Sequence, residues 1–216
     1  MTQPVGERQF QRLSDLGRAV NGSVSSLQRR YLSDARDTDI LGRLARLRQS
    51  LNREPGTTPE VWDDTLALVP ETPSDQQATP RERAVCIAVG LYAFHQQGRR
   101  VPVHVADVSM GHAARRLIGV PDDEPAIRKR LQAIALADTE AGVERHARSM
   151  ISLLKSADPP VALDYGRLTD DLAALYRGGR WAESVRLQWG RDFVRQPKRE
   201  QRASEDSSHS THTTEG

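Results

Sequence analysis

The amino-acid sequence predicts an all-α protein of roughly eight or nine helices. Three observations carry this. Ala, Leu, Arg, Glu and Gln dominate the chain, and these are helix formers. Aromatic residues make up only 5 % of it, and β-branched runs are rare. Apolar residues recur three and four positions apart, between clear start and stop signals.

From Met1 to about Val24, Phe10, Leu13 and Val20 stand loosely at helical spacing, and "NGS" then suggests a break. This reads as an N-terminal extension, residues 1–24. The next thirty residues, to Arg53, read as two helices joined by a polar turn. In the second, Ile40, Leu44, Leu47 and Leu51 form one stripe, with Arg43, Arg46 and Arg53 within about 80° on the opposite face. Arg48 flanks the stripe, and no acid stands four residues from Arg46 or Arg48.

A loop-rich stretch follows, with one short helix expected around Trp62 to Val69. Thr79, Pro80 and Glu82 then form a strong helix start, with a capping Thr, Pro at the first helical position and Glu at the third. The helix they open, around "AVCIAVGLYAF", is apolar nearly all round, so it belongs at the centre of the fold. Gly98 suits its C-terminus. Cys86, the one cysteine, excludes an internal disulfide and reads as a small buried hydrophobe.

"VPVHVADVSMGHAARRLIG" begins extended and becomes a helix carrying Arg115 and Arg116. Asp122 to Pro125 opens a helix with three cations in a row, Arg128, Lys129 and Arg130. A helix N-terminus carries partial positive charge, so cations there gain nothing from the dipole. The acids of "DDEP" supply a local compensation. Asp138 or Thr139 caps the next helix, which packs through Val143, Ala147, Met150, Ile151 and Leu154. Arg145, Arg148 and Lys155 fall within about 80° on its other side. Two last helices, broken at Gly178-Gly179, carry Leu168, Leu172 and Leu175, then Trp181, Val185, Trp189 and Phe193. The polar tail, residues 196–216, has one Ala as its only apolar residue and is expected to be disordered.

Charge says more by distribution than by total. The net charge is +2, and 28 of the 31 Lys and Arg precede Gln196. Three helical faces collect cations away from their apolar stripes, and Arg, suited to bidentate phosphate contacts, prevails over Lys. Exposed aromatics are scarce, so backbone tracking is expected rather than base reading. No P-loop, HExxH, GxSxG or CxxC pattern occurs. His95, His104 and His112 match no usual zinc spacing, and "HSTH" in the tail is at best a weak metal binder. No cofactor is expected. The longest apolar run, Ala84 to Phe94, falls far short of the roughly 20 residues that span a bilayer. With no signal-peptide pattern, a cytoplasmic, soluble protein is expected.

The order "GRLARLR", "SMGHA", "IRKRLQAIALADTEAGVERHARSMISLL", "LDYGRLTDDL" and "WGRDFV" resembles the CasB-type small subunit of the type I-E CRISPR Cascade complex, over about Ser25 to Arg195. The resemblance implies two helical bundles, residues 25–118 and 119–195, and no catalytic activity. It implies guide RNA, target DNA, the Cascade backbone and large subunits, and a second copy of the chain as partners, with no membrane and no small-molecule substrate. Arg46 and Arg48 match the family's "ARLR" segment. Lys129 and Arg130 match its basic pair, Arg148 one member of a later pair, and Arg180 and Arg186 the basic last helices. Together with Arg43, Arg128 and Arg145 these form the expected nucleic-acid-binding set. Leu136, Ser149 and His112 depart from the pattern, standing where the family commonly has cations. Two other classes remain open: a sequence-specific regulator reading DNA with Arg115 and Arg116 on a helix-turn-helix, and a helical adaptor whose cations only solvate its surface. A metal-dependent enzyme around His95, His104 and His112 is a further rival.

Overall fold

The structure is a computed structural model that describes residues 12–33, 37–70 and 77–195. The first eleven residues and the tail from Gln196, for which an extension and disorder are expected, lie outside them. Among the described residues eight α-helices follow one another: α1 Asp15–Ser33, α2 Thr38–Ser50, α3 Pro80–Gln96, α4 Met110–Arg116, α5 Glu124–Ala135, α6 Glu140–Ser156, α7 Tyr165–Arg177 and α8 Gly179–Val194. The one β-bridge among them pairs His104 with Leu163, where an extended start was expected.

The caps account for the boundaries. Thr79 and Glu82 form the reciprocal box at the start of α3. Thr139, not Asp138, caps α6 through Gly142 N. Gly178 adopts φ 73° and separates α7 from α8, a conformation that suits glycine. The helix expected around Trp62 to Val69 is instead two short 3₁₀ turns, Pro59–Asp64 and Leu66–Leu68, joined at Thr65. Asp64 is pulled towards Arg43 there, and runs of this length rarely settle into an α-helix.

One expectation fails outright. Asn21, Gly22 and Ser23 do not end a helix, because α1 runs through them. Leu16, Val20, Val24 and Leu27 are buried on one side of α1, so burial across the whole stripe outweighs the weak propensity of Asn-Gly-Ser. Residues 15–24 therefore belong to the folded body.

α3 sits at the centre. Twelve of its seventeen residues are buried, and it packs against α1, α2, α6 and α7. α7 lies across both α1 and α3. The α1–α7 crossing is close because Gly166 has no side chain: a Cβ there would lie 2.4 Å from the Gly17 carbonyl oxygen. Asp170, one turn further along α7, accepts from Ser14 N at 2.9 Å and so satisfies the start of α1. α4 closes on α8 in the same way, at Gly111.

Several buried polar groups meet one another where α1, α3 and α7 pack. His95 Nδ1 lies 2.9 Å from the Tyr165 hydroxyl, and Tyr165 N donates to His104 Nδ1 at 3.2 Å. His104 Nε2 meets Asn21 Oδ1 at 2.7 Å. Gln28 Oε1 accepts from Val103 N and His104 N. Burial pushes the His95 imidazole down to about 4. Burial also lowers His104, against the nearby Asp164 charge.

Two expected outcomes follow from this packing. Gly166→Ala should cost about 2–3 kcal/mol by chemical denaturation, whereas Gly22→Ala, with open space around the added methyl in mid-helix, should gain about 0.5–1 kcal/mol. A loss at Gly22 would restore the break. His95 is neutral when folded and must take a proton on unfolding below its ordinary value of 6.5, so its contribution is present above that pH and lost on the way down. The loss should reach about 3 kcal/mol between pH 7 and pH 4, and His95→Gln should remove most of it. Equal losses in both proteins would count against this assignment.

Candidate nucleic-acid interface

The expected cations divide into those spent inside the protein and those left outward. Arg43 is spent. Its Nε donates to Asp64 Oδ2 at 3.2 Å and its Nη2 to Asp64 Oδ1, and Asp64 is buried. The pair fastens α2 to the 3₁₀ turn. Arg128 is spent too, as the acids of "DDEP" suggested. It pairs with Glu124 one turn back, and its guanidinium lies 4.8 Å from the Phe193 ring centroid. Glu124 also takes Arg115 at 3.0 Å, and the two hydrogen bonds hold its carboxyl below the usual range. Arg186 Nε donates to the Ala135 carbonyl at 2.6 Å, tying α8 to the end of α5. In each of these three, the charge or a donor also holds elements of the fold together.

A second group stands outward. Lys129 and Arg130 are exposed on α5, which packs against α6. Arg145 is exposed on α6, and Arg46 is half-buried, its guanidinium folded back over Gly42. Arg180 lies 5.0 Å from the Trp181 ring, which Arg177 also approaches at 4.3 Å. Trp181 was expected in the core with Val185, Trp189 and Phe193, but it is 40 % exposed. Ala182 takes the buried place beside it, because α8 begins only at Gly179 and its first turn faces outward.

The third group converges at the C-terminal end of α3. Phe94 is the pivot: Lys155 Nζ lies 4.7 Å and the Arg148 guanidinium 5.5 Å from its ring centroid, both from α6. Arg148 Nη1 donates to Asn52 Oδ1 at 2.9 Å, and Lys155 Nζ to Gln97 Oε1 at 3.3 Å. Arg48 comes from α2 and Arg99 from the turn after α3. Partial burial lowers Lys155 first, then the positive charges of Arg48 and Arg99. Burial likewise lowers Arg48. Arg100, next along, lies 5.5 Å from the Tyr31 ring. Among the described residues, Arg148 and Lys155 meet aromatic faces and amide oxygens rather than carboxylates.

The acids that could have neutralised this cluster are engaged elsewhere. Glu144 stands one turn before Arg148, yet it points to Arg83 at 2.9 Å. Arg83 also takes Glu140 at 2.8 Å and Glu54 at 3.2 Å. One half-buried guanidinium thus gathers three carboxylates at one end of α3 and leaves Arg148 and Lys155 at the other end without a carboxylate. Arg99 and Arg100 escaped the sequence reading because they follow the helix; their signal was the position directly after Gly98, one turn beyond Phe94.

α4 is seven residues long, and Met110, Gly111, Ala113 and Ala114 are buried. Arg115 pairs with Glu124, while Arg116 is exposed, and two turns offer little length to lie in a groove. His95 and His104 both pack around Tyr165, while His112 Nε2 lies 3.6 Å from Asp192. Among the described residues no three His, Cys, Asp or Glu side chains are grouped as a metal site. No helix among them is long and apolar enough to cross a membrane.

Fold and surface together define an all-α protein, built on one central helix, with a convergent cationic face. Comparison narrows the class. The family model described as CRISPR-associated protein Cse2 matches residues 43–193, and the chain belongs to that family. CasB from Thermobifida fusca is similar at 29 % identity and a TM-score of 0.71, over 85 % of this chain and 100 % of that one. CasB from Thermus thermophilus shares the fold at 19 % identity and a TM-score of 0.59, over 82 % and 96 %. CasB from M. ruber does so at 20 % and 0.55, over 88 % and 98 %. No curated protein matches the chain.

Separating the spent cations from the outward ones is testable by stability. Arg43→Gln leaves the buried Asp64 carboxylate unpaired and should cost about 1–3 kcal/mol in thermal or denaturant unfolding. Arg46→Gln should change stability by less than about 0.5 kcal/mol.

Proposed function

We propose that this chain is a non-catalytic, nucleic-acid-binding small subunit of a Cascade effector complex. It stabilises guide RNA–target DNA and the displaced strand through sequence-independent backbone contacts. The observation that carries the reading is the convergence of Arg48, Arg148 and Lys155 with Arg99 around Phe94, while nearby carboxylates are drawn to Arg83. Cations crowded together raise one another's energy, and a polyanion relieves that repulsion while releasing its own counterions. Guanidinium groups suit phosphate oxygens in pairs. Lys129, Arg130 and Arg145 extend the proposed surface across α5 and α6. Base pairing by the guide would supply sequence specificity and this protein backbone electrostatics. In the same reading the backbone and large subunits and a second copy are its protein partners, the segments 25–118 and 119–195 act as two bundles, and the setting is the cytoplasm.

The test is a salt titration of single-stranded nucleic acid binding by the full chain. Affinity should fall steeply with salt and vary little with sequence. Replacing Arg48, Arg148 and Lys155 together by Ala should weaken binding at least about tenfold and flatten the log–log salt slope by about 2, three contacts at roughly 0.7 each. An unchanged slope in a variant of unchanged helicity would put the interface on another face. Lys129→Ala with Arg130→Ala should flatten the slope by a further 1 or so.

A further inference from the structure

A second cationic feature lies at the opposite end of α3. From Arg81 to Phe94 is thirteen residues, or about 20 Å along the helix axis. There a cleft of about 400 Å³ opens between the start of α1, the first turn of α3, α7 and α8. That volume is within the range of small-molecule sites.

The lining is unusually rich in arginine. Arg12 before α1, Arg81 in the first turn of α3, and Arg167 and Arg177 at the two ends of α7 border the cleft, against two carboxylates, Asp170 and Asp171. Asp170 is engaged by Ser14 through both its backbone N–H and its hydroxyl. Asp171 accepts from Trp189 Nε1 at 2.7 Å. Loss of water around Asp171 pushes its carboxyl up to about 7. With four guanidinium groups against two carboxylates, the lining is net cationic. Arg12 and Arg177 are exposed at its rim, and Arg177 is oriented by its contact with Trp181. Ser184 and Gln188, one turn apart on α8, add a hydroxyl and an amide.

We infer that this cleft is a binding site for a nucleotide phosphate, separate from the surface around Phe94. Arg12 and Arg177 hold the phosphate, which fits two guanidinium forks better than a single carboxylate does. Ser184 and Gln188 face the sugar or base. The volume admits one nucleotide rather than a duplex. The phosphate belongs either to a free nucleotide or to one unit of a strand, and the two sources share this chemistry.

Tryptophan fluorescence of the full chain reads the site, because Trp181 stands on the rim and Trp189 is bonded to Asp171 at the floor. Adenosine monophosphate should bind saturably, and adenosine at least tenfold more weakly. Arg12→Gln with Arg177→Gln should weaken the monophosphate at least tenfold with circular dichroism unchanged, whereas Arg48→Gln with Lys155→Gln should leave it within twofold. Adenosine binding as well as its monophosphate, glutamate competing as well as phosphate, or full affinity in the Arg12/Arg177 variant would each overturn the inference. A ten-nucleotide thymidine strand that displaces the monophosphate from the wild type assigns the phosphate to a strand; one that binds without displacing it assigns a free nucleotide. Failure of the α2–α6 surface shows separately, as an unchanged salt slope in the Arg48/Arg148/Lys155 variant.

Discussion

The fold depends on burying a helix that is apolar on nearly every side. α3 has no solvent face along most of its length, so other helices must surround it: α1, α2, α6 and α7 do so. A helix enclosed along its sides can meet solvent only at its ends. The chain places its charged residues there. Arg81 and Arg83 enter at the N-terminal end, and Arg99 and Arg100 follow the C-terminal end. At the first end Arg83 is answered by Glu54, Glu140 and Glu144; at the second the cations around Phe94 meet amide oxygens and an aromatic face.

The same enclosure explains the polar groups inside. α3 carries His95, α7 begins with Tyr165, and the segment between α3 and α4 supplies His104; all three are buried. An unpaired polar group in such a place costs about 1–3 kcal/mol. His95 with Tyr165, and His104 with Asn21 and the Tyr165 N–H, answer much of that demand. Gln28 performs the same service for the backbone at Val103 and His104, which then bridges to Leu163. Residues from four distant parts of the chain are held in one register by this network, and α7 is set against α3 and α1 as a result.

Helix existence was legible because it is local. The α6 stripe Val143, Ala147, Met150, Ile151 and Leu154 is buried as its spacing predicts. Thr79 and Glu82 announced α3, and Gly178 its own turn. Local signals failed where tertiary burial outweighed them, as at Asn21-Gly22-Ser23 inside α1, or where a periodic residue met the wrong environment, as Trp181 did. The fate of each cation was mostly illegible for a related reason. Arg128 finds Glu124 four residues back, within reach of a sequence rule. Arg43 finds Asp64 twenty-one residues on, Arg186 finds the Ala135 carbonyl fifty-one residues back, and Glu144 is drawn from Arg148 to Arg83 across sixty-one. Helical wheels identify which residues share a face and not what that face meets.

That distinction bears on Leu136, where the resemblance led to the expectation of a cation. Leu136 closes α5 and is 62 % exposed. The carbonyl of its neighbour Ala135 is already satisfied by Arg186, so the end of α5 is held by a donor from α8 rather than by a side chain of its own. The outward charge of α5 is left to Lys129 and Arg130, earlier in the helix. Charge density is higher where α2, α6 and the turn after α3 meet, since three elements contribute to one place there. A phosphate backbone responds to local potential, which falls off within about 10 Å at ordinary ionic strength. In the proposed interface, a missing cation at the end of α5 therefore removes one edge contact, while the convergence around Phe94 keeps the centre of the field.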